Sequence, residues 1–195
     1  MRHDFSDVTS RSEAERLGRL YPIILREYNP EYKALYARER DYLLDVFSGL
    51  VLRISHIGST AVSNLISKPT IDILLEIREN SGLSEITERL AQNGYIVNTP
   101  PADIILYIKG YGPNGFDGQT YHIHVRALGD YSEFYFRDYL IAHPDAAEEY
   151  GQLKRHLQER YEHDRDGYTA AKSAFVAKHT KLARAEFAGK YSPAK

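Results

Sequence analysis

Three groups of residues in this sequence have the types and spacing to do chemistry. The first is Gly58-Ser59-Thr60, which follows the apolar run at residues 51–57. Glycine has no Cβ, so the backbone there can approach a ligand closely. Two adjacent hydroxyls beside backbone N–H groups form a cradle suited to phosphate oxygens. Lys68 either reaches the same anion or is a surface lysine ahead of Pro69. The second group is Asp72, early in the apolar run at residues 70–77. A carboxylate buried there without a partner is costly, so it needs a reason. The third is His122-Ile123-His124. Residues i and i+2 of a strand share a face, so both imidazoles can point into one cleft. That pair is half a metal site, suited to zinc, manganese or iron more than to magnesium. The plain alternative is two half-exposed histidines hydrogen-bonded to carboxylates.

Further residues extend the candidate pocket. His56 directly precedes the glycine and either lines the pocket or fixes the turn by a hydrogen bond. Glu76 shares a face with Asp72, but four residues of strand put it roughly 13 Å away. Arg126 shares the period-two face of His122 and His124. Arg137-Asp138 reads as an ion pair fastening a helix to the sheet, or else as an anion contact.

The elements that must position these groups follow from patterning. Residues 1–20 are polar and predict a loose arm or a short helix, and residues 21–28 a strand. Asn29-Pro30-Glu31 is a strong helix start, with a cap, a proline in the first turn and an acid at the positive dipole end. Leu35, Tyr42 and Val46 keep helical spacing to about Phe47. Residues 51–57 are a strand, 60–66 a short helix, and 70–77 an apolar strand buried on both faces. Leu83, Ile86 and Leu90 define a helix over 81–93 that Asn93-Gly94 closes. A short extended piece covers 95–98. Strands at 103–109 and 119–127 flank a long, mobile, four-glycine turn at 110–118, as an antiparallel hairpin. The remainder, 130–195, is helical. Helices are predicted over 130–142, from Pro144 with a stripe at Ala147, Tyr150, Leu153, Leu157 and Tyr161, and over 168–187 with Ala171, Phe175 and Leu182 inward.

Together these motifs resemble the signature of the GrpB family of small bacterial proteins, within the nucleotidyltransferase (polymerase-β-like) superfamily. His56-Ile57-Gly58-Ser59-Thr60-Ala61-Val62 and Lys68-Pro69-Thr70-Ile71-Asp72-Ile73 carry it. So do Tyr121-His122-Ile123-His124-Val125, Phe136-Arg137-Asp138-Tyr139-Leu140 with His143-Pro144, and residues 168–175. The resemblance implies an α/β (α+β) fold: a nucleotidyltransferase-like mixed sheet flanked by helices, with C-terminal helices beside it. It implies transfer of a nucleotidyl group from a nucleoside triphosphate to an unknown acceptor. Gly58, Ser59, Thr60 and Lys68 would hold phosphate, and Asp72 a divalent ion: magnesium or manganese, with zinc also admitted. His122 or His124 would stand where that superfamily carries a third acid, which brings both near Asp72 as ligands or acid-base groups. His56, Glu76 and Arg126 would line the pocket.

The sequence departs from the pattern twice. The superfamily places a second acid two positions after the first, and here that position is Leu74. Ser63-Asn64 replaces the family's Pro-Gly. Two other readings therefore stand beside the transferase: a non-catalytic nucleotide- or phosphate-binding protein, and a metal-dependent hydrolase built on His-x-His.

Composition sets the outer bounds. At 195 residues the chain is most simply one domain with a real core. Its formal charge of −2 carries no strong nucleic-acid signal, although a local basic face remains open. It has no cysteine, hence no disulfide and no thiolate metal site, which fits the cytoplasm. Residues 1–12 hold four charges and no apolar core of a signal peptide. No apolar run has the roughly 18 residues of a membrane span. The 16 tyrosines read as buried rings with wet hydroxyls.

Overall fold

The computed structural model describes residues 11–78, 83–98 and 104–193. Helices α1 (Arg11–Leu20) and α2 (Glu31–Val46) precede strand β1 (Val51–Ile57). A 3-10 turn (Ser59–Ala61) leads toward β2 (Thr70–Ile77), followed by α3 (Leu83–Gln92) and the short β3 (Ile96–Val97). Strands β4 (Ile105–Gly112) and β5 (Gly115–Ala127) complete the sheet. Helices α4 (Ser132–Ala142), α5 (Pro144–Tyr161) and α6 (Arg165–Glu186) end the chain. Helix α2 starts as its sequence dictates, with Asn29 Oδ1 accepting from the Glu31 amide at 3.0 Å.

The five strands form one sheet in the order β1-β2-β5-β4-β3. The β2–β5 pair is parallel, and the other neighbours are antiparallel. The expected mixed α/β architecture, with a helical C-terminal part, is what the chain adopts. The two faces of the sheet differ in kind. Ile71, Ile73, Leu75 and Ile77 of β2 and Tyr121, Ile123 and Val125 of β5 pack beneath α2 and α3 in the main core. The opposite face carries Asp72, Leu74 and Glu76 of β2 beside His122, His124 and Arg126 of β5, residue for residue in register. Helices α4 to α6 lie on that polar side. Phe134 of α4 closes over Leu74 and Ile57, while Val62 and Leu65 join Leu140, Ala147 and Tyr150 in a second core.

Four local expectations are corrected. Residues 21–28 form a single bridge, Arg26 to Ser67, instead of a strand. Pro22 has no N–H to give a ladder, and Ile23 packs against Leu157 and Tyr168 instead. No helix covers 60–66: the 3-10 turn ends at Ala61, and Asn64 takes a left-handed conformation with φ 64°. The presumed long turn at 110–118 is strand, with only Pro113-Asn114 between β4 and β5. There Gly110, at φ +88°, makes a bulge where the register shifts between Lys109 and Tyr111. Leu182 is 45% exposed, and Ala183 and His179 take the buried side of α6. The first residues expected for α3 and β4, 81–82 and 103, lie outside the described residues, as do residues 1–10 of the expected arm.

Candidate metal and phosphate site

The polar face of the sheet and helices α4 to α6 enclose a cavity of about 260 Å³. Gly58, Ser59, Thr60, Lys68, Thr70, Asp72 and His122 line its sheet side. The parallel register sets Asp72 beside His122 and Leu74 beside His124. As a result Asp72, His122 and His124 each offer one ligand atom within 4.8 Å of the others. His122 Nδ1 is 3.1 Å and His124 Nε2 3.8 Å from Asp72 Oδ1. His122 is part of the cavity wall, and His124 shares its strand face without lining the cavity.

The electrostatics suit a cation. Burial opposes the Asp72 charge, but the hydrogen bonds and charge of His122 and His124 outweigh it and hold the carboxyl well below its ordinary range. Burial lowers the His122 imidazole pKa against the pull of Asp72, which favours the unprotonated ring that a metal ligand requires. One carboxylate with imidazole nitrogens is a donor set for manganese, zinc or iron. Tyr111 Oη lies 2.8 Å from His122 Nε2, in the position of an outer partner that orients a ligating ring. The donors thus fit a divalent ion.

The Gly58 turn is fitted to Asp72. Gly58 has φ +70°, and a Cβ there would lie 2.5 Å from Asp72 Oδ2. Thr60 is buried and its hydroxyl is already engaged, donating to the Thr70 carbonyl at 2.9 Å. His56 Nε2 lies 3.0 Å from the same hydroxyl. The His56 side chain is on the other face of the sheet, opposite Ile73 and stacked on Tyr36. Burial pushes its pKa down to about 4. His56 therefore fixes the turn and does not line the cavity.

Two other expected pocket residues are also placed elsewhere. Glu76 is fully buried and paired with the Arg53 guanidinium, with one oxygen also accepting from the Gly129 amide at 2.9 Å. Arg126 pairs with Glu133 at 3.1 Å and lies over the Tyr131 ring. Arg137 pairs with Asp138, its neighbour on α4, so the ion pair stays within the helix; its hydrogen bond to the His56 carbonyl fastens α4 to β1, and Arg137 also lines the cavity.

The helical wall holds residues that sequence reasoning missed. Tyr150 and Lys154 of α5 and Tyr168 and Lys172 of α6 line the cavity. Each lysine lies over the tyrosine four residues before it, at 4.6 Å for Lys154 and 4.3 Å for Lys172. The signal was legible in part: Lys154 interrupts an apolar stripe at the Tyr150+4 position, where a surface lysine does not belong. Burial pushes Lys154 down to about 6, with repulsion from Lys172, Arg155 and Lys68. Burial pushes Lys68 to about 7, with Arg165 and Lys172 repelling and Asp72 attracting. Lys172 stands near 8, lowered by burial and held up by Asp72.

A pH dependence follows. The fold depresses these lysines, so their burial destabilises it increasingly as pH falls from their ordinary range toward about 6. An anion in the cavity favours their charged forms. Its binding takes up protons and tightens as pH falls from about 8.5 to about 6.5. Calorimetry of tripolyphosphate binding in two buffers of different ionisation enthalpy measures the uptake; proton release on binding would contradict it.

The family model described as GrpB protein matches residues 22–182. UPF0157 protein YqkA of Bacillus subtilis is 33% identical over 165 residues, 80% of this chain and 47% of that protein. A UPF0157 protein of Halalkalibacterium halodurans is 30% identical over 194 residues, 93% of this chain and 97% of its own length. A UPF0157 protein of Pseudomonas aeruginosa is 35% identical over 153 residues, and the chain spans 63% of it. The chain thus spans about half of YqkA and under two thirds of the Pseudomonas protein. The crystal structure of conserved protein GrpB from Enterococcus faecalis superposes with a TM-score of 0.75 at 28% identity, covering 84% of this chain and 99% of that one.

Proposed function

The chain belongs to the GrpB protein family, and from that premise we propose that it transfers a nucleotidyl group from a nucleoside triphosphate to an acceptor. One observation carries the reading: the Gly58-Ser59 turn faces Asp72, with His122 and His124 in reach, inside a cavity whose other wall is cationic. In the transfer, an acceptor oxygen forms a bond to the α-phosphorus. The bond from that phosphorus to the β-bridging oxygen breaks, pyrophosphate leaves, and the acceptor proton goes to solvent. A divalent ion held by Asp72 and the histidines would supply charge stabilisation at the reacting phosphate. The chain's own residues bind the phosphates, hold them in line and keep water out. No helix among the described residues is long and apolar enough to cross a membrane; we place the protein in the cytoplasm, with its nucleotide.

A second reading, a nucleotide-binding protein without turnover, is favoured by Leu74. That residue is fully buried between Ile57 and Phe134, where the superfamily's second acid would stand. The test is release of labelled pyrophosphate from each nucleoside triphosphate with Mn²⁺ across a panel of hydroxyl and amine acceptors. Acceptor-dependent release supports the transferase. Nucleotide binding with no release on any acceptor supports the binder.

A further inference from the structure

Leu74 raises a question that the helical wall answers. Two metal ions normally neutralise a transferring triphosphate, and the second needs a second carboxylate. Neither Leu74 nor Glu76, which Arg53 holds, can supply one. Three lysines from three segments face the same cavity: Lys68 ahead of β2 on the sheet side, and Lys154 of α5 and Lys172 of α6 on the opposite wall. Lys154 is 2% exposed. It donates to the Ile66 carbonyl and leans on the Tyr150 ring. Among the described residues, no carboxylate forms an ion pair with any of the three. The two carboxylates that line the cavity are engaged elsewhere, Asp72 by His122 and His124 and Glu133 by Arg126, so three lysines gathered there call for a further anion.

A further group points the same way. Tyr168 lines the cavity and is 1% exposed, and its hydroxyl has no hydrogen-bond partner among the described residues. Buried hydroxyls are almost always partnered, so an unpartnered one beside the cavity is a donor left over for a ligand oxygen. Ser59, on the facing turn, closes the cavity from the sheet side.

We propose that Lys68, Lys154 and Lys172, with the Tyr168 hydroxyl, clamp the terminal phosphates of the nucleoside triphosphate in place of a second metal ion. The clamp rests on the nucleotide reading above for its natural ligand, but its chemistry is that of any short linear polyphosphate. It predicts phosphate-chain binding that does not require a divalent ion.

The experiment is calorimetric titration of inorganic tripolyphosphate, then orthophosphate, into the protein in EDTA. Tripolyphosphate binds, and more tightly than orthophosphate by at least about tenfold. Lys172→Met and Lys154→Met each weaken tripolyphosphate binding by about tenfold or more, and Tyr168→Phe by about threefold. Lys154→Met keeps an apolar stem against the Tyr150 ring and is expected to fold; if it does not, Lys172→Met and Tyr168→Phe decide the matter. No tripolyphosphate binding without metal, or lysine variants that bind like wild type, would overturn the clamp. Metal-free binding with neither nucleotide binding nor transfer leaves the clamp standing and removes the nucleotide reading. Nucleotidyl transfer without metal-free polyphosphate binding does the reverse.

Discussion

Arg53→Ala lowers the stability of this protein by roughly 3–5 kcal/mol, because it strands a buried carboxylate. Glu76 is 0% exposed, and its partners are the Arg53 guanidinium and the Gly129 amide. Arg53 in turn donates to the Gly129 carbonyl at 2.5 Å and lies 4.6 Å from the centre of the Phe134 ring. One guanidinium therefore ties β1, β2, the turn after β5 and α4 into the floor on which Asp72 stands. At this chain length the loss corresponds to a fall in Tm of roughly 6–20 °C. Arg53→Met with Glu76→Leu recovers most of it, since the stranded charge goes with its partner. Thermal melting of the single and double variants checks both. A single variant that melts with wild type would mean that Glu76 is not held by this pair.

The Glu76 case shows where sequence reasoning reached and where it stopped. Period-two spacing correctly put Asp72, Glu76, His122, His124 and Arg126 on common strand faces. Spacing cannot say which partner crosses from a neighbouring strand, and Arg53 arrives from β1 by register with Glu76. The closeness of Asp72 to His122 has the same origin, a parallel pairing between strands far apart in sequence. For His56 the structure selects the hydrogen-bond alternative: opposite Ile73, it faces α2 and reaches the Thr60 hydroxyl of the turn, not the cavity.

Tyr111 was hidden by its glycine neighbours. Four glycines in nine residues read as an open loop, but Gly110 makes a bulge and Gly112 and Gly115 bracket a two-residue turn. A Cβ at Gly110 would lie 2.6 Å from the Gln119 carbonyl, so glycine serves close strand packing there. That packing carries Tyr111 onto the strand and its hydroxyl to His122. The lysines of the helical wall were obscured differently. Lys154 and Lys172 sit on helices whose apolar stripes were legible, but which flank of a stripe meets a cavity depends on how α5 and α6 cross the sheet. The helix stop at Ala61 also had only a weak signal, Asn64 being the residue that tolerates a left-handed backbone.

Asp72→Asn abolishes divalent-ion binding while leaving the fold in place. The amide keeps the side-chain shape and an oxygen that still accepts from His122 Nδ1, but the charge-assisted hydrogen bonds weaken, so stability falls by roughly 1–3 kcal/mol without unfolding the protein. The charge is lost, and it is the one carboxylate in the Asp72, His122, His124 cluster. Loss of a direct anionic ligand exceeds the 10–100-fold typical of an outer partner, so metal affinity falls by more than ~100-fold. If Asp72→Asn instead unfolds the protein, the carboxylate is a structural anchor for two histidines and the metal reading fails.

The central claim, that Asp72 with His122 and His124 forms a metal site serving a phosphate ligand, is tested most directly by electron paramagnetic resonance of Mn²⁺. Free Mn²⁺ is titrated against wild type and Asp72→Asn, each with and without a non-hydrolysable nucleoside triphosphate. The account predicts that wild type removes one equivalent of the free-ion signal, more tightly when nucleotide is present, and that Asp72→Asn does not. Equal depletion by the two proteins, or none by either with nucleotide bound, would contradict it.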